Sequence, residues 1–509
     1  MLHPIIVRAI PVPNASRALR RPVRKLRRAL GCALLLALAA AQIGGSRPDS
    51  RFDRIVLVSI DTLRADHLGA YGYPRPISGF IDQMADDGAV FERAYASMST
   101  TGPSHATMLT GLHPIQHGVK RNGRRLADEW TTVAEMLAAR GFSTAGFSGT
   151  RVHFRTGNLD QGFDHFDEPP GSLRAPYQPA DQTLQAARNW LRSQPNDRPL
   201  FLLLHLFDVH HPWNPPEIHR RELARRSEEV GFQPSYWNEG QHVPIDFYAG
   251  QIEQMRATID SYDAEIRFVD TELRRFAVDF SAWADGRPTL WIVTSDHGEG
   301  LGNHGWLFHG KHIYDEQVRV PLIFHASDHR YARRRIKEIV QHVDLLSTIL
   351  DLASMPSRSP AAPNARSAHT APRTGRSLAG LLQGAPRPDL DTRGAFIQRR
   401  SFDPNPAADA RASRGEIRPD NRYESGETYA WIEGRWKLIH RTIGRDELFD
   451  LEADPYEMQN LAGDQSERLG QMRAALEERL SELRVVPPTA APPVARETLD
   501  QLEALGYLP

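Results

Sequence analysis

The sequence predicts an α/β protein with a mostly parallel central sheet flanked by helices, followed by a smaller C-terminal α+β subdomain. Three apolar segments, Arg54 to Ile60, Pro199 to Phe207 and Pro288 to Ser295, have the length and character of buried parallel strands. Helical patterns such as Thr131 to Arg140 and Gln251 to Phe276 lie between them. Strands that alternate with helices are typical of a helix-covered parallel sheet.

An aspartate follows each of the three predicted strands: Asp61, Asp208 and Asp296. A single aspartate in this position is more often a helix cap or a turn residue. In open parallel sheets, however, ligands bind at the carboxyl ends of the strands. Three aspartates at that edge therefore indicate a functional site.

The composition is ordinary for a large globular protein. The chain has 509 residues, of which 40% are apolar and 25% charged, and its formal net charge is -1. Such a length accommodates a large core and a smaller second unit. The near-zero charge argues against nucleic acid as a partner.

The segment Ser99 to Gly111, STTGPSHATMLTG, predicts a helix that opens at Pro103 and places Thr101 just ahead of its N-terminus. Free N–H groups and the helix dipole favour an anion there. A hydroxyl is a weak nucleophile until a metal or a base activates it. By itself, the segment is more typical of an ordinary capped helix than of a catalytic site.

Two further clusters combine carboxylates with imidazoles. Asp296 and His297 are adjacent at a strand end, and His304, His309 and His312 follow within the same segment. A carboxylate next to an imidazole suits zinc or a similar divalent ion. The second cluster, FDVHHPW, contains Asp208, His210 and His211 after another apolar strand.

These segments together resemble the sulfatase family of the alkaline-phosphatase superfamily. The matching motifs occur in family order: IDTLRADHLGAYGY, TxPSHATMLTG, SDHGEGLGNHG and YDEQVRVPLI. ELFDLEADPYEMQNLA is similar to the signature of the family's C-terminal subdomain. The resemblance implies an alkaline-phosphatase-like sheet and a hydrolase that acts on small-molecule, glycan or lipid esters.

The resemblance also implies residue roles. Asp61, Asp296 and His297 match metal-binding positions, and Thr101 occupies the position of the metal-bound nucleophile. His105 stands where formylglycine sulfatases carry an arginine, and we treat it as a candidate catalytic residue. One divalent ion (zinc, calcium or manganese) is expected.

If the site holds a second ion or a substrate group, Asp208, His210 and His309 are the residues expected to bind it. Lys311 or His309 lies near the position of the family's substrate-binding lysine. A second ion would favour a phosphoester substrate.

The sequence departs from the family at the nucleophile. Formylglycine is made from Cys or Ser in C/S-x-P-x-R, and oxidation of Thr101 would give a ketone, so formylglycine is excluded. Thr62 replaces a second metal-binding aspartate, and Gly149 to His153 lacks the family's lysine–histidine motif. The T-x-P-S-H pattern resembles threonine-nucleophile phosphodiesterases instead.

Three functions therefore remain open. The first is hydrolysis of a sulfate or phosphate ester through Thr101. A formylglycine hemiacetal can eliminate sulfate, whereas a sulfated threonine cannot, which favours phosphate. The second is transfer of a phospho-headgroup to an envelope glycan or lipid, and the third is binding without catalysis.

The N-terminus predicts export. Arg17 to Arg28 is basic, and Ala29 to Ala41 is apolar and contains Cys32, the chain's one cysteine. This pattern is typical of a signal peptide, with a membrane anchor as the alternative. The protein is expected in the periplasm, outside the cell, or on the outer face of the cytoplasmic membrane.

The expected organisation has five parts. Pro-rich composition marks the linker and the tail. Strands over Thr428 to His440 and Glu447 to Leu451 and a helix over Gln465 to Leu483 are expected in the C-terminal subdomain. The parts are a signal or anchor over 1–45, a sulfatase-like catalytic domain over 53–355, a linker over 356–390, a C-terminal subdomain over 391–484 and a tail over 485–509.

Overall fold

The computed structural model describes residues 51–170, 177–229, 252–353, 374–387, 393–400 and 426–483. The predicted signal or anchor with Cys32, most of the linker and the tail over 485–509 lie outside these residues. Within the described ranges, no helix is both long enough and apolar enough to span a membrane.

In the described residues, the central sheet has nine strands: β1 (Arg54–Ile60), β2 (Ala89–Tyr95), β3 (Ser143–Ser148), β4 (His165–Asp167), β5 (Leu200–Leu206), β6 (Thr289–Thr294), β9 (Arg319–Val320), β10 (Leu322–Ala326) and β11 (Arg334–Gln341). Their order is β11-β2-β10-β6-β1-β5-β3-β4, with β9 paired to β2. All pairs are parallel except those of β9 and β10, which run antiparallel to their neighbours. The mostly parallel α/β fold is thus confirmed.

The described residues also form two smaller sheets. A hairpin of β7 (Gly300–Leu301) and β8 (Leu307–Phe308) follows β6. An antiparallel sheet near the C-terminus contains β12 (Ala395–Gln398), β13 (Thr428–Glu433), β14 (Trp436–Arg441) and β15 (Glu447–Asp450).

Helices cover the central sheet on both faces. Alternate side chains of β1 enter different cores, Ile55 and Leu57 on one face and Val56 and Val58 on the other. The helices are α1 (Gly79–Asp86), α2 (Thr101–Thr110), α3 (Pro114–His117), α4 (Val133–Ala138), α5 (Phe154–Gly157), α6 (Ala180–Ser193), α7 (Glu217–Glu229), α8 (Ile252–Ala284), α9 (Asp315–Val318), α10 (Val343–Leu352), α11 (Ala379–Leu382) and α12 (Ser466–Glu482). Short 3-10 helices lie at Ala65–His67, Gly69–Tyr71 and Asn303–Gly305.

The expected start of α2 was wrong by two residues. Thr101 is the first helical residue, and Thr100, in extended conformation, is the N-cap. The Ser104 N–H, which donates to Thr100 O over 3.1 Å, closes the first turn. Pro103 is tolerated inside that turn because the first N–H groups of a helix have no intrahelical partner.

Arg64 joins the loops after β1 and β6. Its guanidinium donates two hydrogen bonds to Asp66, of 2.8 and 2.6 Å, and one to Asn303 Oδ1, of 2.7 Å. It also donates to the Glu299 carbonyl over 3.2 Å. A bidentate arginine–carboxylate pair fixes geometry as well as charge. Arg64 therefore fixes the positions of the two loops that carry Asp61 and Asp296 relative to each other.

The C-terminal sheet is attached to the main fold by a buried lysine. Lys437 on β14 is fully buried, and its Nζ lies 2.8 Å from Asp315 Oδ1 and 2.7 Å from Glu457 Oε1. The Gln398 N–H on β12 donates to Ser97 O over 2.9 Å. The smaller sheet thus contacts both the α9 segment and the chain that leads to α2.

Candidate metal and nucleophile site

Asp61 lies directly after β1, between the ends of β5 and β6. Its side chain is fully buried, and its N–H donates to Leu206 O over 2.9 Å. His205 Nε2 lies 3.2 Å from Asp61 Oδ2. Asp61 Oδ1 accepts no hydrogen bond from the described residues. That oxygen is therefore available to a ligand.

Asp296 and His297 follow the end of β6. Asp296 Oδ1 accepts the N–H groups of Thr62 and His297, over 3.1 and 2.9 Å, whereas Oδ2 accepts none among the described groups. His297 Nδ1 lies 2.9 Å from Gly298 O, so this nitrogen carries a proton, and in the neutral ring the lone pair is on Nε2. His297 Nε2 is 3.3 Å from Asp296 Oδ2 and 3.9 Å from Asp61 Oδ1.

Thr101 brings a hydroxyl to the same place from the N-terminus of α2. Its side chain is fully buried, and Oγ1 lies 3.3 Å from His297 Nε2. The positive end of the ten-residue helix favours negative charge at this hydroxyl or on a group that it attacks. The structure thus brings together Asp61, Thr101, Asp296 and His297.

His105 supports this arrangement from behind. Its Nδ1 lies 2.9 Å from Thr101 O and its Nε2 lies 3.0 Å from Ser59 Oγ. Both ring nitrogens therefore have protein partners. Burial and the neighbouring His205 lower the pKa of His105 to about 3, so the ring is neutral. This geometry suits a residue that positions the first turn of α2.

The buried groups fit a divalent cation. Among the described residues, two overlapping sets have all their ligand atoms within 4.8 Å of one another: Asp61 with Asp296 and His297, and Asp296 with His105 and His205. Two buried carboxylate oxygens without hydrogen bonds and an imidazole lone pair are a donor set that suits zinc or a similar ion.

The pKa shifts of the Asp61 and Asp296 carboxyl groups also favour a bound cation. Burial and the neighbouring Asp296 raise the pKa of Asp61 well above its usual range. Burial also opposes the charge of Asp296, but His297, His105 and His205 outweigh it and lower the pKa of Asp296. Two close carboxylates are costly to ionise together without positive charge. A cation would supply that charge.

The residues expected to bind a second ion do not all lie together. The ring of His309 lies 4.4 Å from that of His297 and 5.0 Å from that of His210, as centroid distances. Asp208 belongs to neither set of potential ligands found among the described residues. Its Oδ1 accepts the N–H of Ala180 at the start of α6 over 3.0 Å, and its buried Oδ2 has no hydrogen-bond partner in the described ranges. Lys311 Nζ lies 4.5 Å above the Trp306 ring.

Neither His205 nor Asn122 was predicted as a site residue from the sequence. His205 is fully buried, lies in the apolar run of β5 and contacts Ser148 Oγ over 3.0 Å in addition to Asp61. Asn122 Oδ1 accepts the N–H of Gly102 over 2.8 Å, and its buried Nδ2 has no hydrogen-bond partner in the described ranges. An ionisable residue within the otherwise apolar β5 was the available signal for His205. The loop around Asn122 carries no such pattern.

The fold and the site define a class of protein: a mostly parallel α/β fold in which a hydroxyl at a helix N-terminus faces a cluster of carboxylates and imidazoles. The sulfatase family model matches residues 53–355, which is more than half of the chain. The protein belongs to the sulfatase family, whose members are ester hydrolases of the metal-dependent alkaline-phosphatase superfamily.

Known proteins of several substrate types are similar to this chain. The arylsulfatase of Clostridium perfringens is 22% identical over 83% of this chain and 93% of its own length. The phosphonate monoester hydrolase of Agrobacterium radiobacter superposes with a TM-score of 0.63 at 21% identity, covering 84% of this chain and 96% of its own. A protein solved with its substrate D-glucosamine-2-N,6-O-disulfate gives a TM-score of 0.66 at 19% identity, with 85% and 98% covered.

Proposed function

We propose that this protein is an exported, metal-dependent hydrolase of phosphate or sulfate esters that uses Thr101 as its nucleophile. One observation carries the proposal: Thr101 Oγ1 lies 3.3 Å from His297 Nε2, beside two buried carboxylates that each keep one oxygen without a hydrogen bond. The export part depends on the basic and apolar N-terminal segment.

Asp61, Asp296 and His297 would hold the cation, with Thr101 adjacent to it. When bound, a divalent cation lowers the pKa of a nearby hydroxyl and offsets the negative charge of the ester. Asn122 Nδ2 provides an N–H donor next to Thr101, suited to an oxygen of the tetrahedral anion. His105 and Ser59 hold the Thr101 peptide from behind.

Thr101 Oγ1 attacks the phosphorus or sulfur atom, and the bond from that atom to the alcohol oxygen breaks. The proton lost by Thr101 balances the proton gained by the leaving alcohol. Water then attacks the esterified threonine, restores its hydroxyl and releases the inorganic or monoester product. One water molecule is consumed in each cycle.

Phosphate is the favoured ester. A threonine ester must be cleaved by water, since its carbon carries no second hydroxyl from which sulfate could be eliminated. Water attack on a phosphorylated hydroxyl needs mainly positioning and charge neutralisation. The names of similar proteins favour sulfate, so the ester type has to be measured.

The test is a substrate panel: 4-nitrophenyl sulfate, 4-nitrophenyl phosphate, bis(4-nitrophenyl) phosphate and 4-nitrophenyl phenylphosphonate, each with zinc, calcium or manganese. We expect turnover of at least one phosphorus ester by the wild type and none by Thr101→Ala. Product analysis with an added acceptor alcohol separates hydrolysis from transfer. No turnover of any ester by the metal-loaded wild type would contradict the proposal.

A further inference from the structure

Phe308, at the end of the β7–β8 hairpin, combines exposure with an unfavourable backbone conformation. Its side chain is 42% exposed, and its φ is 72°. Left-handed backbone is costly for a bulky residue that is not glycine. Four other large apolar side chains in the described ranges are exposed, and none of them has a positive φ. Such strain is concentrated at functional sites in proteins.

A continuous series of rings connects Phe308 to the metal-binding group. The centroid distances are 4.4 Å from His297 to His309, 5.0 Å from His309 to His210 and 5.8 Å from His210 to His211. The ring of His211 then lies 4.8 Å from that of Phe308. Since Phe308 also precedes His309 in the chain, its exposed ring is at the rim of the site.

Trp213 extends this rim. Its ring is nearly parallel to that of Phe308, with 22° between the planes and 6.5 Å between the centroids. The indole N–H donates to Val209 O over 2.7 Å, which fixes the orientation of the ring. Trp213 and Phe308 therefore present ordered, uncharged ring surfaces next to the site.

We infer that Phe308 is a specificity-determining residue that stacks on a ring in the alcohol half of the substrate. This inference rests on the proposed function, which places the ester at Thr101 and its alcohol towards the rim. The shared chemistry is a flat apolar ring face, which both aryl alcohols and sugars can offer. Aromatic side chains recognise such faces by offset stacking and by contact with C–H groups.

The experiment measures binding rather than turnover. Calorimetry on the metal-loaded protein compares phenylphosphonate, cyclohexylphosphonate and methylphosphonate, whose C–P bonds the proposed reaction does not cleave. We expect phenylphosphonate to bind roughly fivefold to tenfold more tightly than methylphosphonate. The cyclohexyl compound separates the two sources. If it gains as much affinity over methylphosphonate as phenylphosphonate does, the site accepts a saturated ring such as a sugar; a smaller gain in affinity indicates an aryl group.

Phe308→Ala and Phe308→Gly should both abolish this preference, and Phe308→Tyr should keep it. Glycine tolerates the positive φ, so Phe308→Gly guards against a folding defect in the alanine variant. Tyr456→Ala, at a comparably exposed aromatic residue, is the matched control. Wild type without a ring preference, or Phe308 variants that retain it, would overturn the inference. Ring-selective binding without turnover of any ester would contradict only the proposed function.

Discussion

Thr101 Oγ1 lies 3.3 Å from His297 Nε2, although the two residues are on different elements, the first turn of α2 and the loop after β6. Ser104 strengthens this pairing, because its hydroxyl donates to the Asp296 carbonyl over 2.6 Å. The nucleophile and the proposed ligands are thus fixed relative to each other by a direct connection between α2 and the β6 loop.

The first prediction concerns the nucleophile. Thr101→Ala should lower kcat by at least about a thousandfold, because it removes the attacking oxygen. Thr101→Ser keeps a hydroxyl and should retain measurable turnover. Thr100→Ala is the control, since the Thr100 side chain makes no capping hydrogen bond. Steady-state kinetics and circular dichroism check the result, and unchanged activity of Thr101→Ala would refute the role.

The second prediction concerns the ion. Asp61→Asn should weaken metal binding by at least about tenfold, because a charged ligand is lost from a buried site. Asp208→Asn should leave the bound ion unchanged, because Asp208 is not in the set of potential ligands that Asp61, Asp296 and His297 form. Elemental analysis after dialysis measures both variants. Equal metal content in Asp61→Asn and wild type would rule out Asp61 as a ligand.

The third prediction treats His205 as a positioning residue. His205→Ala frees Asp61 Oδ2 from its partner at 3.2 Å, so metal affinity should fall by about tenfold. Activity should recover largely at saturating metal, since His205 acts through Asp61. Chelator competition and kcat at high metal measure these two effects. A loss of kcat that metal cannot restore would argue against positioning alone.

The fourth prediction concerns stability. Lys437→Met leaves Asp315 and Glu457 without their buried cation and should lower the free energy of unfolding by about 3–5 kcal/mol. Lys337→Met, at an exposed position on β11, should change it by no more than about 0.5 kcal/mol. Urea denaturation compares the two variants. Similar small effects would mean that the lysine contributes little.

The fifth prediction concerns pH. Burial opposes the charge of His304, but Glu316, 2.9 Å away, and Glu457 outweigh it and raise the pKa of His304 to about 9. Protonated His304 therefore stabilises the folded protein fully below pH 6.5, and this contribution is lost as the pH rises towards 9. It amounts to no more than about 3 kcal/mol of the free energy of unfolding. Denaturation of wild type and His304→Gln at pH 6, 7.5 and 9 measures it. A difference between them that does not shrink with rising pH would contradict the prediction.

The strands of the sheet were predictable because their apolar runs are continuous. β1 has the bounds that its sequence suggests, and the predicted strands at β5 and β6 are each one residue too long at either end. The predicted segment from Thr428 to His440 is two strands, since Gly434, with φ 58°, turns the chain between β13 and β14. Local pattern alone did not separate them.

The site was only partly predictable. Asp61 and Asp296 follow strands, and their position at a common sheet edge follows from parallel pairing. Asp208 shares that sequence pattern, but it lies outside both sets of potential ligands among the described residues, and its Oδ1 accepts the Ala180 N–H, which no local motif reveals. His205 was hidden in an apolar run. His205 lies opposite Ser59 and Ser148 because of the register in which β5 pairs with β1 and β3.

The buried lysine of β14 has a consequence for how the protein can be divided. Excision of residues 53–355 would strip Asp315 of Lys437, and His304 and the α9 segment of their contacts with Glu457. It would also remove the β12 N–H that donates to Ser97 O. Ser97 lies only a few residues before the nucleophile in the sequence. We therefore expect the stretch that carries the family motifs to be less stable when it is expressed alone than in the whole chain.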